Sequence, residues 1–575
     1  MKFRIPRGKT AGYSSLYERK FDLLMPILFD DTNLDRMFTQ FFELLIKKGK
    51  MSIPNKKKEF ESGGTYNVEE KLIPKLLDGN NLLGFDSGTK SEVLRHWLEI
   101  SVFVMNKEGR IRKGEAIDYL RNLTASTYRS GLPKGENRSS NRNIETTIYR
   151  VLLNRLGSIY SNAGDIKQYE QIQADFMKSS LTKGMKLDLA NPGSLNSPQY
   201  DNESDIDINT VLTYRLIECI EGNRSKDDIK TPRSSEVGIP LELLAEDFYR
   251  IILEYGSISS KELMQMIKAI FTLRLYQLPI HMSRKLTEIR NGAPPTDSNL
   301  AQLFVDFSLG EEKRISNLAN MACMKDLSDA SELPMHMVFF REVHRLSGFE
   351  NTEKSAEVES RIENDIGIKS LQKLMSLSQA ELVKEKAKDI LKNLQFEYSK
   401  DEESAEFVTF LKNIEDNYEH NPLLGLVNVI MEDIGENAKS GLRKYLLSVG
   451  GLKESKDVEN VWIISGNQKR TETWRYDISD SILTTLLHLT FLDDHGKKLK
   501  KGNLELAEVI NRLKNRFGVL VAGFPSEIAT LQENDSAREN LVYFKKRLRQ
   551  LGWFENLSDD FEAQLVTRPE TSRNE

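Results

Sequence analysis

Apolar positions recur at helical spacing through most of this chain and change to strict alternation only near its C-terminal end. Leu23, Leu24, Ile27 and Leu28, then Phe38, Phe41, Leu44 and Leu45, fall on repeating faces, so residues 16–48 read as helix. Residues 92–105, which include Trp97, and residues 144–161 follow the same rule. Leu244, Phe248, Ile251, Ile252 and Tyr255 mark one amphipathic face that stops at Gly256. Ser259 with Glu262 then makes a capping box, and Leu263, Ile267, Ile270 and Phe271 fold back as the second arm of a helical hairpin. Further helices are predicted over 300–324, 335–346, 368–394, 404–418 and 423–447, with Gly450 and Gly451 closing the helical region. No fixed-period repeat is visible.

Polar, Gly- and Ser-rich stretches divide this helical run. Residues 130–143, SGLPKGENRSSNRN, cannot bury much surface and read as an exposed loop. Residues 187–209 are rich in Asn, Pro, Ser and Asp, and a second polar stretch covers 221–237. The expected organisation is a basic helical domain over 1–186, a polar linker with one helix over 187–240, a central helical domain over 241–455 and a C-terminal domain over 456–575.

The C-terminal domain breaks the helical rhythm. Residues 461–465 and 471–478 alternate and are rich in Trp, Ile, Thr and Tyr, and Gly466-Asn467 supplies the turn of a hairpin between them. A helix begins at Asp480, apolar nearly all round through Leu489. The next carries Leu506, Val509, Ile510, Leu513 and Phe517, capped by Gly518 and followed by a short strand over 519–521. Ser536 and Glu539 read as a capping box for a third helix, with Leu541, Phe544, Leu548 and Leu551 as its core stripe. Residues 553–566 alternate as a closing strand pair. This order predicts a winged helix, so the fold class is mainly α: a multi-domain helical scaffold with a C-terminal α+β winged-helix domain.

The outward face of the third helix then becomes the candidate DNA-binding surface: Arg538, Lys545, Lys546, Arg547, Arg549 and Gln550. Arg and Gln reach base edges and Lys reaches phosphates. The wing opposes this, because Asp559, Asp560 and Glu562 stand where a DNA-binding wing carries cations. Protein docking is therefore a rival use of the same module.

Composition narrows the function classes. Hydrophobic residues make up 39% and charged residues 29%, the net charge is −5 and the mean hydropathy −0.47, ordinary for a soluble helical protein. No apolar run reaches the ~18 residues that span a bilayer, and the basic N-terminus leads into no apolar signal core. Cys219 and Cys323 cannot build a disulfide framework or a zinc ribbon and read as buried free thiols of a cytoplasmic protein. Lys and Arg concentrate before residue 60, over 110–142 and again near 497–501 and 545–549, while 350–436 is acidic.

Reaction-centre motifs fail on spacing. GFDSGTKS at 84–91 has the context of a phosphate loop, but Thr89 stands where the second Gly must be. LTFLDD at 489–494 resembles a Walker B strand in another domain. DNESDIDIN at 201–209 lacks the Gly and Glu of a calcium loop. His336 and His344 lack metal-site spacing; Asp493, Asp494 and His495 read as a helix stop; Glu69-Glu70-Lys71 is a nuclease-like fragment of the kind chance supplies. Met321, Met324, Met335 and Met337 read as gap-filling core. No cofactor and no metal are expected.

TWRYDISDSILTTLLHL at 473–489 and FKKRLRQLGWFENLSDDFEAQLV at 544–566 resemble the C-terminal part of large, poorly characterised proteins encoded in bacterial anti-phage defence loci. That resemblance implies a subunit working beside an ATPase, helicase or nuclease. The expectation is a non-catalytic subunit of a multi-protein assembly, engaging DNA or a DNA-bound partner. The alternatives are a divergent metal-dependent nuclease or NTPase whose site is assembled from distant residues, and a purely structural protein–protein scaffold.

Overall fold

A computed structural model describes residues 144–159, 222–223, 238–256, 258, 260–292, 300–347, 368–400, 405–452, 461–493, 497–499, 502–523, 531–554 and 564–569, with isolated positions and short strands between 27 and 120. The readings placed on 69–71, 84–91, 130–143, 201–209, Cys219, Asp494, His495 and the acidic wing residues Asp559, Asp560 and Glu562 lie outside these residues. The chain divides into two compact units, one of Met1–Thr32, Pro232–Asp247 and Ala269–Glu575, the other of Asn33–Thr231 and Phe248–Lys268.

In the second unit, Leu34, Met37, Phe38, Phe41, Leu44 and Leu45 are helical and buried, as their three- and four-residue spacing dictates. Strand β1 (Met51–Ser52) pairs with β6 (Gly222–Asn223), β2 (Glu61–Ser62) with β3 (Thr65–Tyr66), and β4 (Phe103–Val104) with β5 (Tyr119–Leu120), all antiparallel. Phe103 and Val104 are thus strand where the apolar run predicted the end of a helix, in keeping with the β preference of aromatic and β-branched residues. Helix α1 (Ile144–Ile159) buries Ile144, Ile148, Leu152 and Leu156. The Tyr249 hydroxyl donates to the Leu152 carbonyl at 2.9 Å, and the Phe248 ring meets Phe41 edge-on at 6.1 Å.

Helices α2 (Ile239–Tyr255) and α3 (Ser260–Arg290) contribute residues to both units. Within the first unit every residue from 269 to 283 of α3 is buried. A helix buried on all sides normally reads apolar all round, yet this one carries Thr272, Arg274, Gln277 and His281. Each such group must find partners in place of water. Arg274 donates from Nε and Nη2 to the Asp247 carboxylate at 3.2 and 2.8 Å and to the Arg516 carbonyl at 3.1 Å. Gln277 donates to the carbonyls of Phe517 and Ala301 at 2.7 and 3.2 Å. Arg516 also reaches Asp247. Burial alone would raise the Asp247 carboxyl; the two guanidinium groups outweigh it and hold it below the ordinary value. Pro279, inside the same helix, has no N–H for the Leu275 carbonyl. The Tyr445 hydroxyl supplies the missing donor at 3.1 Å.

The segment expected to be helix over 300–324 starts instead as β7 (Leu303–Phe304), and α4 (Lys313–Ala330) begins only after Glu312 caps it. Leu303, Phe304 and Val305 are all buried, the pattern of a strand covered on both faces, which periodicity alone cannot separate from a buried helix. Helix α5 (Leu333–Leu346) follows. The single helix expected over 368–394 is two, α6 (Ile368–Ser378) and α7 (Glu381–Tyr398), because Ala380 is extended (ψ 136°). Then come α8 (Ala405–Asn417) and α9 (Pro422–Val449), the latter opened by Asn421, whose side chain accepts the Leu424 N–H, with Pro422 in the first turn. Helix α9 packs along α5, α7 and α8. Cys323 is a buried free thiol, its pKa pushed up by burial. Of the methionines expected in the core, Met337 is buried, but Met321 is 53% exposed.

His336, on α5, is buried between a donor and an acceptor of α3. Arg290 is always protonated, so its Nη1 donates to His336 Nδ1 at 3.1 Å. Nε2 therefore carries the hydrogen and donates to Thr287 Oγ1 at 3.0 Å, which in turn donates to the Ser283 carbonyl at 2.9 Å. Burial, and then the Arg290 charge, lower its pKa from 6.5 to about 4. Between those two values the unfolded chain holds a proton that the folded chain refuses, so stability falls as pH drops through this window. His336→Gln keeps both hydrogen bonds without titrating. Urea unfolding at pH 7 and pH 5 should show the wild type losing about 2 kcal/mol more than this variant; equal losses would contradict a buried neutral imidazole.

The C-terminal part contains β8 (Ile464–Ser465) and β9 (Arg475–Tyr476), α10 (Asp480–Thr490), β10 (Asn503–Glu505), α11 (Leu506–Phe517), β11 (Val519–Leu520), α12 (Leu531–Gln550) and β12 (Leu565–Thr567). The predicted hairpin is present with narrower strands, since residues 471–473 form a 3₁₀ turn. Gly466 sits at φ 141°, where an added Cβ would come within 2.5 Å of the Thr473 carbonyl oxygen. Strand β10 pairs antiparallel with β12, and Phe554 bridges Val566 on β12's other edge. Strand β11 pairs in parallel with β7. The boundary expected at 456 thus falls inside one compact unit. Helix α12 starts at Leu531, five residues before the expected cap, and Ser536 lies buried within it. The Ser-x-x-Glu pattern fits a mid-helix position equally well.

Candidate nucleic-acid interface

Helix α12 is positioned from its buried side. Ala537, Asn540, Phe544, Arg547 and Leu548 are buried, a stripe at the three- and four-residue spacing of one helix face. Leu541 and Leu551, expected in that stripe, are only partly buried. Phe544 packs against Phe307 at 4.8 Å. Asn540 is fully buried: its Oδ1 accepts the Phe307 N–H at 3.0 Å, and its Nδ2 donates to the carbonyls of Val305 and Val521 at 2.8 and 2.9 Å. One side chain thus clamps the ends of β7 and β11 to the helix. Beyond the last turn Gly552 takes φ 75° and Trp553 N–H closes back on the Leu548 carbonyl at 2.9 Å, satisfying the helix end.

At 100° per residue, Arg538, Val542, Lys545 and Arg549 lie within about 60° of one another, centred about 140° away from the middle of the buried stripe. Arg538, Lys546, Arg549 and Gln550 are exposed, as expected, and Val542 is 64% exposed in their midst. Lys545 is partly covered; slight burial and the neighbouring Arg549 charge lower its pKa. Lys546 Nζ lies 3.6 Å from Glu311 with both side chains more than half exposed, a pair worth at most about 1 kcal/mol. Arg549 stands over the Phe554 ring at 5.4 Å. Asp535 and Glu539 are exposed on the same helix and dilute the positive field.

Arg547 departs from the expected surface. It is 5% exposed, donating from Nε to Asp480 Oδ1 at 2.8 Å and from Nη2 to the Ile478 carbonyl at 2.7 Å. Its guanidinium pins α12 to the start of α10 rather than facing solvent, because at the edge of the apolar arc a carboxylate and a carbonyl from another element lie within reach.

Sequence reasoning missed the polar groups that place the interface, Asn540 above all; a lone Asn inside an apolar stripe is the one sign it left. Among the described residues no group of three His, Cys, Asp or Glu side chains is arranged to hold a metal. None of the described helices is long and apolar enough to cross a membrane.

A mostly helical chain with an exposed cationic helix held on a buried polar clamp is the class these features define. The chain belongs to the family of methylation-associated defense system protein MAD7, whose model matches residues 15–569. It is therefore a component of an antiviral defence system. Neither curated proteins nor solved structures gave a match.

Proposed function

We propose that this protein is a non-catalytic, DNA-associated subunit of its defence system, and that residues 480–569 form a winged-helix module with α12 as its recognition helix. The order of elements supports the module: helix α10, strand β10, helix α11, the short strand β11, helix α12, then the Phe554 bridge and β12, with β12 lying between β10 and the bridge. The observation that carries the DNA reading is the exposed stripe of Arg538, Val542, Lys546 and Arg549, flanked by Gln550 and the partly covered Lys545, opposite the buried face of the third helix. Arginine and glutamine suit base edges, valine suits a thymine methyl, and lysine suits phosphate. Docking on a DNA-bound protein, such as an ATPase or nuclease of the same system, uses the same face and is the second reading; Val542 and the exposed acids favour it.

Mobility shift with duplex DNA across a salt series tests the proposal. Wild type should bind at low salt, and Lys546→Glu with Arg549→Glu should weaken binding at least about tenfold and flatten the logarithmic salt slope by about one to two phosphate contacts. Both residues are exposed, so folding is expected to be unaffected. Absence of binding at low salt sinks direct DNA contact and leaves protein docking.

A further inference from the structure

We infer that the groove between α4 and α9 is a docking site for an acidic amphipathic helix of a partner protein. A cavity of about 390 Å³ opens there. Its apolar lining comes from Met324 and Leu327 on α4 and from Leu442 and Leu446 on α9. Met321, one turn before Met324 on the same helix, is 53% exposed and extends the apolar wall outwards. Flexible, polarisable methionines suit a surface that receives another helix, as a rigid core would not need them here.

Charge complementarity decides the occupant. The lining also includes Lys439 and Arg443, four residues apart on α9 and hence about 6 Å apart along its axis. Two carboxylates one turn apart on an incoming helix match that separation. Arg443 stacks over the buried Trp474 ring at 5.0 Å, which holds its planar guanidinium in place. It makes no ion pair with the described residues, so its fork can receive a carboxylate on two parallel bonds. Among the described residues Lys439 pairs with Glu332 at 3.9 Å, with both side chains 47% exposed, a contact that an incoming carboxylate can replace. An apolar floor beside two cations thus reads as the negative image of a leucine stripe flanked by glutamates. This surface is independent of α12 and of the DNA reading.

The test uses the full chain and a fluorescein-labelled designed amphipathic helix with two glutamates, one turn apart, beside a leucine stripe. Twin peptides carry glutamines or lysines at those two positions. Anisotropy should show saturable binding of the glutamate peptide, weaker by at least about tenfold for the glutamine twin. Lys439→Glu with Arg443→Glu should abolish binding of the glutamate peptide and create binding of the lysine twin. That gain shows the double variant is folded, because a collapsed groove binds neither. Failure of the glutamate peptide to bind wild type, or binding indifferent to the charge reversal, overturns the inference. Binding of citrate at Lys439 and Arg443 with no binding of any peptide overturns it too, by assigning the groove to a small carboxylate.

Discussion

Asn540→Leu is expected to melt the first unit far below the wild type, although leucine matches asparagine in branching and in number of heavy atoms. The substitution removes three hydrogen bonds at once and leaves the Phe307 N–H and the carbonyls of Val305 and Val521 facing an apolar side chain. Each buried backbone group left unpaired costs about 1–3 kcal/mol, so a total on the order of 4 kcal/mol is expected. The clamp holds β7, β11 and α12 together, so the loss should appear first as faster amide exchange over 303–307 and 531–550. Asn540→Asp is expected to be no better. Its Oδ1 still accepts from Phe307, but the second carboxylate oxygen faces two carbonyls with nothing to donate. Calorimetry and hydrogen exchange on both variants check this; a melting temperature equal to wild type would show that water or backbone movement satisfies these groups.

Asp247→Ala should be comparably severe, for an electrostatic reason. Asp247 and Arg274 are both fully buried, and Arg516 shares the same carboxylate. Removing the main charge that compensates Arg274 leaves a desolvated guanidinium beside a second cation. Breaking a buried pair from one side costs about 3–5 kcal/mol. Arg516 keeps a lesser contact with Glu246 at 3.6 Å, so the cost falls mainly on Arg274. The double variant Asp247→Leu with Arg274→Met removes both charges and should recover much of the loss. A double-mutant cycle by urea denaturation measures the difference; equal stability of the single and double variants would show that Arg274 finds water or another partner.

These two clusters are also where sequence reading stopped. The helical stripes over 244–255, 506–517 and the outward basic face of 538–550 were legible, because at 3.6 residues per turn a local pattern states which positions share a face. The stops at Gly256 and Gly518 follow from backbone chemistry that needs no partner. Of the candidate interface, Arg538, Lys546, Arg549 and Gln550 are exposed as their helical positions implied. Arg547 was not legible, since a long side chain at the edge of an apolar arc turns inward or outward according to what lies across from it. Here that is Asp480 and the Ile478 carbonyl, contributed by a different element.

The amino-acid sequence by itself thus determined a mainly helical chain, its principal apolar faces and the cationic stripe on its last long helix. Only the tertiary structure decided that residues 303–304 and 519–520 pair as parallel strands, that α12 begins at Leu531 rather than at a Ser536 cap, and that Asn540, Arg274 and Arg547 are interior. The reason is the same in each case. Periodicity reports the faces of one element, whereas the fate of a polar group or a short apolar run depends on which donors and acceptors long-range packing brings against it.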